Sequence, residues 1–134
     1  MSFPDELLPK PLPHIEVYIL LALARNESTR YKLKSRLFSM SFGALRPADN
    51  IIYRAVGKLH DEGLVDLART EPGRADNLPV KYYSISEHGR IRLQEEIIRL
   101  DQVMKIARHA GVMDDETPAD IQRLRLDFLD GGKG

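Results

Sequence analysis

The sequence predicts a mainly α protein with one small β-hairpin, closed by a long helix. Three observations predict it. Apolar stripes of helical period occupy residues 14–63, two strand-like segments flank a turn at residues 71–79, and a further helical stripe runs over residues 87–109.

The elements follow in chain order. Residues 1–13 hold Pro4, Pro9, Pro11 and Pro13, half of the eight prolines, which forbids a long helix and favours an extended arm. Phe3, Leu7, Leu8 and Leu12 give that arm apolar surface to pack. His14 to Arg25 reads as a helix that follows a proline and is apolar nearly all round, through Ile15, Val17, Ile19, Leu20, Leu21 and Leu23. Such a helix is central to the core or shared with a partner. Asn26-Glu27-Ser28-Thr29 breaks the pattern and offers a hydroxyl N-cap to a second helix, Arg30 to Met40, with Leu33, Leu37 and Met40 on one face.

Ser41 to Pro47 reads as a loop, after which Asp49 or Asn50 caps a third helix ending at Gly63. Its apolar residues Ile52, Ala55, Val56 and Leu59 fall at i, i+3, i+4 and i+7. Asn50, Arg54, Gly57, Lys58 and Asp61 take the other side, so one face is core and the other small, polar and basic. Leu64 to Thr70 then reads as a strand, Glu71 to Pro79 as a turn holding Pro72, Gly73 and Asn77, and Val80 to Ile85 as the returning strand. Ser86 is a suitable N-cap for a helix that runs to His109 and closes at Gly111. Leu93, Ile97, Leu100, Met104 and Ala107 form its stripe, widened by Ile91, Ile98 and Val103. Beyond an acidic hinge at Asp114-Asp115-Glu116, Thr117-Pro118 opens a last short helix with Ile121, Leu124 and Phe128, and the glycine-rich end is expected to be disordered.

Composition narrows the function. With 134 residues the chain can bury a core unaided, and the absence of cysteine removes disulfides, zinc-thiolate sites and thiol catalysis. The longest apolar stretch, Ile15 to Ala24, is about half of the roughly 20 residues that a membrane span needs, and the N-terminus has no secretory pattern, so a cytoplasmic protein is expected. His14, His60, His88 and His109 lack metal-ligand spacing, and no phosphate-binding loop or nucleophile motif occurs, so neither catalysis nor a cofactor or metal is expected.

Net charge is zero, but residues 25–58 hold Arg25, Arg30, Lys32, Lys34, Arg36, Arg46, Arg54 and Lys58 against only Glu27 and Asp49. Phosphates respond to local potential rather than to the mean, so this basic segment suits a DNA-facing surface. Three helices, a hairpin and a long helix are the order of a winged helix-turn-helix with a long C-terminal dimerisation helix, in which the third helix enters the major groove. The organisation expected is an arm at 1–13, the winged domain at 14–86, the dimerisation helix at 87–111 and a short helix and tail at 112–134.

The residues also resemble one family across about 15–110. Ile19-Leu20-Leu21-Ala22-Leu23 is similar to the first helix of the PadR-like transcriptional regulators, and Tyr31-Lys32-Leu33 falls where that family has Tyr-x-Ile/Leu. Ile52 to Leu59, followed by Glu62-Gly63-Leu64-Val65, resembles its recognition helix and strand entry. Lys81 to Gly89 resembles its strand-to-helix signature, (K/R)-x-Y-x-(I/L)-(T/S)-x-x-G, the most specific piece. Arg30 stands where the family usually has glycine, and Ala48-Asp49-Asn50-Ile51 replaces its Ser-Pro-Gly-Thr. The resemblance implies a dimeric DNA-binding repressor of the small-subfamily type. It also implies a small apolar or phenolic effector, seated between the first and fourth helices.

Side-chain chemistry assigns roles within that frame. Asn50 suits an adenine edge, Arg54 a guanine edge and Ile51 a thymine methyl, with Lys58 expected on a phosphate. Tyr53 borders the apolar face. Arg30 and Lys32 on the second helix are expected to hold the DNA backbone, and Arg74 and Lys81 to reach it from the wing. Because three helices and a hairpin already supply a core, the stripe Leu93, Ile97, Leu100, Met104 and Ala107 is expected to pair two copies. The competing reading is a winged helix that serves as a protein-interaction module without touching DNA. An acidic or apolar recognition face would mark such a module, and Asn50, Arg54 and Lys58 argue otherwise.

Overall fold

The computed structural model describes residues 10–73 and 78–113. Within them the order is α1 (His14–Arg25), α2 (Arg30–Met40), α3 (Asp49–Asp61), β1 (Val65–Glu71), β2 (Val80–Ile85) and α4 (Glu87–His109). The expected fold class is present: a mainly helical winged helix with an antiparallel hairpin and a long final helix. The arm up to Pro9, the wing tip at Arg74 and the expected last helix lie outside the described residues. Contacts divide the chain after Glu96 into two compact units.

In the first unit, Ile19, Leu20, Leu33, Leu37, Ile52, Val56 and Leu59 are fully buried in one cluster drawn from α1, α2 and α3. This is the i, i+3, i+4 pattern expressed as packing. The nearly all-apolar α1 is central, with Val17, Ile19, Leu20, Ala22 and Leu23 buried. Two arginines satisfy its carbonyl end. Arg36 donates to the carbonyls of Asn26 and Ala22, and Arg90 donates to that of Ala24, placing cations where the helix dipole is negative. Thr29 caps α2 as expected, its Oγ1 accepting from the Lys32 N–H at 3.1 Å.

Two local expectations are corrected. Neither Asp49 nor Asn50 caps α3: the cap position is Ala48, without a side-chain hydrogen bond, and Asp49 is the first helical residue, bound to Lys34 at 3.0 Å. An acid in the first turn still opposes the positive helix end, so the dipole is served without a cap. Strand β1 begins at Val65 rather than Leu64, because Leu64 is still closing the helix. Its N–H donates to the Leu59 carbonyl at 2.9 Å while Gly63, at φ 76°, donates to that of His60 at 3.0 Å, the hydrogen-bond pair of a Schellman ending.

The hairpin pairs Val65 with Ile85 and Glu71 with Val80, with one residue of extra chain, Ala68, between Leu67 and Arg69. A third segment joins it: the N–H groups of Ser28 and Tyr83 each donate to the other's carbonyl, at 2.9 and 2.8 Å. Tyr83 is thereby fixed to the α1–α2 turn as well as to β1. At the start of α4, Ser86 Oγ accepts from the Gly89 N–H at 2.9 Å and donates to the Gly63 carbonyl at 2.6 Å.

A Cβ on Gly89 would lie 2.0 Å from the Leu64 carbonyl oxygen, a backbone atom that cannot swing away. Gly57, on the open side of α3, has nothing within 4 Å of the corresponding point. Gly89→Ala is therefore expected to cost at least about 2 kcal/mol through overpacking. Gly57→Ala is expected to stabilise by about 0.5–1 kcal/mol through helix propensity. Urea unfolding of the two variants beside the parent chain checks both signs.

Candidate nucleic-acid interface

The outer face of α3 is assembled from the residues that its inner face leaves over. With Ile52, Ala55, Val56 and Leu59 inward, Asn50, Ile51, Tyr53 and Arg54 are exposed together on the first two turns. The side chains of Asn50 and Arg54 have no hydrogen bond or ion pair among the described residues, and both residues are exposed. Tyr53 is 60% exposed and belongs to this face rather than to the core. The Arg30 guanidinium lies 3.8 Å from its ring centroid, stacking α2 on α3. Its hydrogen bond, and then its charge, hold the Tyr53 phenol below the usual tyrosine value.

Lys32 and Lys81 are exposed, on α2 and β2, and the Lys32 ammonium sits 5.9 Å from the Tyr82 ring. Among the described residues of the hairpin the other cation is neutralised: Arg69 binds both Glu27 and Glu71 and stacks on Tyr82 at 3.8 Å.

Lys58, expected on a phosphate, is half exposed and ion-paired within the chain: its ammonium lies 3.1 Å from Glu16 Oε2 on α1 and 3.9 Å from Glu62. The hydrogen bond that Lys58 donates to Glu16, then the charge of that carboxylate, raise the lysine pKa. Glu16 is buried, and a buried carboxylate holds one strong partner. Lys34 is likewise engaged by Asp49, and Arg36 by the end of α1. Of the basic segment, Arg25, Arg30, Arg46 and Arg54 have no acidic or carbonyl partner among the described residues, and Lys32 has only the charge of Glu71 near it.

Sequence reasoning passed over a groove of about 650 Å³ beside this face, lined by Tyr31, Lys34, Ser35, Phe38, Arg46 and Asp49. Tyr31 is 87% exposed, and the Arg46 guanidinium is 5.2 Å from the Phe38 ring. An aromatic residue one position away from each of Arg30 and Lys32 was the available signal. In α4, Leu93 is buried in the protomer's own core, which takes it out of any seam between copies. In the second unit, Ile97, Ile98, Leu100, Val103 and Ile106 are exposed, and Met104 and Ala107 are half-buried.

Three helices with the third exposing a polar face, a bulged wing and a long following helix define a winged helix-turn-helix protein of the transcription-regulator class. The chain belongs to the PadR-like family of transcriptional regulators, whose family model matches residues 19–95. Solved structures agree on the fold. A PadR-like transcription factor from Bacteroides fragilis is 18% identical with a TM-score of 0.62, covering 72% of this chain and 88% of that one. A PadR-like transcriptional regulator from Bacillus cereus is 21% identical with a TM-score of 0.59, over 75% of this chain and 93% of that one. Bacillus subtilis PadR in complex with operator DNA is 24% identical with a TM-score of 0.57, over 84% of this chain and 66% of that one. No curated relative matches at a significant level. Among the described residues, no helix is long and apolar enough to cross a membrane.

Removing the Lys58 ammonium strands the Glu16 carboxylate, whereas removing both charges leaves neither exposed to the penalty. Lys58→Met is expected to lower Tm by about 2–6 °C, and Glu16→Gln combined with Lys58→Met to recover most of that loss. Thermal unfolding of the single and double variants measures the coupling.

Proposed function

We propose that the protein is a homodimeric, sequence-specific DNA-binding repressor that occupies an inverted-repeat operator. The observation that carries this reading is the outer face of α3, where Asn50, Ile51, Tyr53 and Arg54 stand exposed while neighbouring cations are neutralised. Arg54 reads a guanine edge, Asn50 an adenine edge, and Ile51 presses a thymine methyl. The Arg30–Tyr53 stack, Lys32 and Lys81 hold the phosphate backbone on either side, and Arg74 reaches it from the wing tip. The solved complex of Bacillus subtilis PadR with operator DNA supports carrying this mode over to the present chain.

Two copies pair through α4 along Ile97, Leu100, Met104 and Ala107. Exposure of Ile97 and Leu100, each about two-fifths accessible, supports the pairing, as does the small contact area of a single winged helix on one half-site. Repression is relieved by a small apolar or phenolic effector that alters the pairing of the fourth helices and so the spacing of the reading heads. A screen of such compounds that left operator affinity unchanged would remove the effector. A second reading, docking of a partner protein, is favoured by the aromatic groove at Tyr31 and Phe38.

Selection from a randomised duplex pool, followed by fluorescence titration at two salt concentrations, tests the main reading: a palindrome with a steep salt slope is expected. Salt-insensitive or absent binding sinks it and turns attention to the groove. On the selected operator, Arg54→Ala is expected to cost about 1–3 kcal/mol and relax one base position, whereas Lys58→Met leaves the salt slope unchanged. Leu100→Asp, which places a charge in the seam, is expected to yield monomers by light scattering. A persistent dimer would move the interface elsewhere.

A further inference from the structure

A second site lies on the far side of α3, where α1, the Lys10 to Pro13 segment and the start of α4 enclose a cavity of about 260 Å³. Two of the residues that line it each carry a buried polar atom with no hydrogen-bond partner. Glu16 Oε1 is one, on a side chain 5% exposed whose other oxygen takes Lys58. Arg92 Nη1 is the other, on a side chain 14% exposed whose Nη2 donates to the Lys10 carbonyl. Its nearest carboxylate oxygens, on Glu95 and Glu96, stand at 3.8 and 4.0 Å, beyond hydrogen-bond reach.

Leaving a buried polar atom unsatisfied is costly, the more so for an ionised group. Here the unmet needs are opposite in kind. Glu16 Oε1 lacks a donor and Arg92 Nη1 lacks an acceptor within hydrogen-bond reach, although Glu95 and Glu96 answer the guanidinium's charge at longer range. A guest that satisfies both presents an ammonium or other N–H group at one end and a carboxylate at the other. Lys10 and Glu62, which also line the cavity, add one charge of each sign. The volume falls just below the roughly 300–1,000 Å³ of sites for drug-sized ligands, which limits the guest to metabolite size.

We propose that this cavity binds a small amine-carboxylate, an amino acid or a close analogue, with its carboxylate on Arg92 and its ammonium on Glu16. The site is separate from the apolar or phenolic effector of the preceding section. Because Lys58 belongs to α3 and Glu62 is its C-cap, a guest that competes with Lys58 for Glu16 alters what holds the recognition helix against α1. Occupancy and operator affinity are then linked reciprocally. That linkage rests on the DNA-binding reading, whereas the ligand site itself is tested without DNA.

The test adds each of the twenty common amino acids to the full chain, with simple carboxylates and simple amines as controls, and follows Tm and then heat of binding by titration calorimetry. At least one amino acid is expected to raise Tm by about 2 °C or more at saturation, with one site per chain, while the controls do not. Glu16→Gln and Arg92→Lys are each expected to weaken binding at least about tenfold, which is about 1.4 kcal/mol. Where Glu16→Gln fails to fold, Arg92→Lys, which keeps the charge and loses the fork, carries the test alone. No shift with any amino acid, or binding undiminished in Arg92→Lys, overturns the proposal. So does a crystal structure grown with the amino acids in which water alone joins Glu16 Oε1 to Arg92 Nη1.

Discussion

The close approach of Gly89 to the Leu64 carbonyl is the constraint on which the winged fold turns. At that point the end of α3, the start of β1 and the start of α4 meet within a few atoms. The Leu64 carbonyl accepts from the Ser86 N–H at 3.1 Å, the Ser86 hydroxyl spans from the Gly63 carbonyl to the Gly89 N–H, and no side chain fits between. The last residues of the family signature thus have separate physical jobs: Tyr83 ties the hairpin to the α1–α2 turn, Ser86 caps α4, and Gly89 lets two backbones touch. The start of α4 is thereby tied to the exit of α3.

Electrostatics sorts the basic segment into two populations. Lys34, Arg36 and Lys58 are consumed by the protein, on Asp49, on the carbonyl end of α1 and on Glu16, and their role is to hold helices together. Arg30, Lys32 and Arg54 keep their charge toward solvent or an aromatic ring. Formal charge counts both populations alike, so a net excess along the chain overstates what a phosphate backbone would meet. The unconsumed cations nevertheless cluster on α2 and on the outer face of α3, and local potential governs attraction.

Much of this was legible from the sequence, because helix periodicity, a hydroxyl before a helix and a glycine after one are local signals. The bounds of α1 and α2, the Thr29 and Ser86 caps, the Gly63 and Gly111 endings and the exposed face of α3 all rest on residues within one or two turns of each other. What escaped rests on pairs far apart in the chain. Lys58 meets Glu16 across 42 positions, Arg69 meets Glu27 across the same interval, and Arg92 reaches Lys10 across 82. Leu93 shares the period of Ile97 and Leu100, yet it is buried in the core cluster while they are exposed. A helical stripe reveals an apolar face; where the neighbours stop covering it is a tertiary fact.

Glu16 shows how one residue can carry both a structural cost and a functional opening. An apolar helix interrupted by a single carboxylate reads as a minor imperfection in the hydrophobic pattern, and replacing it with an aliphatic residue would complete the core. Instead the carboxylate is buried, spends one oxygen on Lys58 of α3 and leaves the other without a hydrogen-bond partner, on a residue that lines a cavity. Lys58 stays half exposed, so the bond that joins α3 to α1 lies at the boundary between interior and solvent, where a competing cation can reach it. A fully apolar contact at this point would be firmer and indifferent to small solutes. The charged one makes the seating of α3 answerable to what occupies the cavity, since a guest ammonium and the Lys58 ammonium would draw on the same carboxylate.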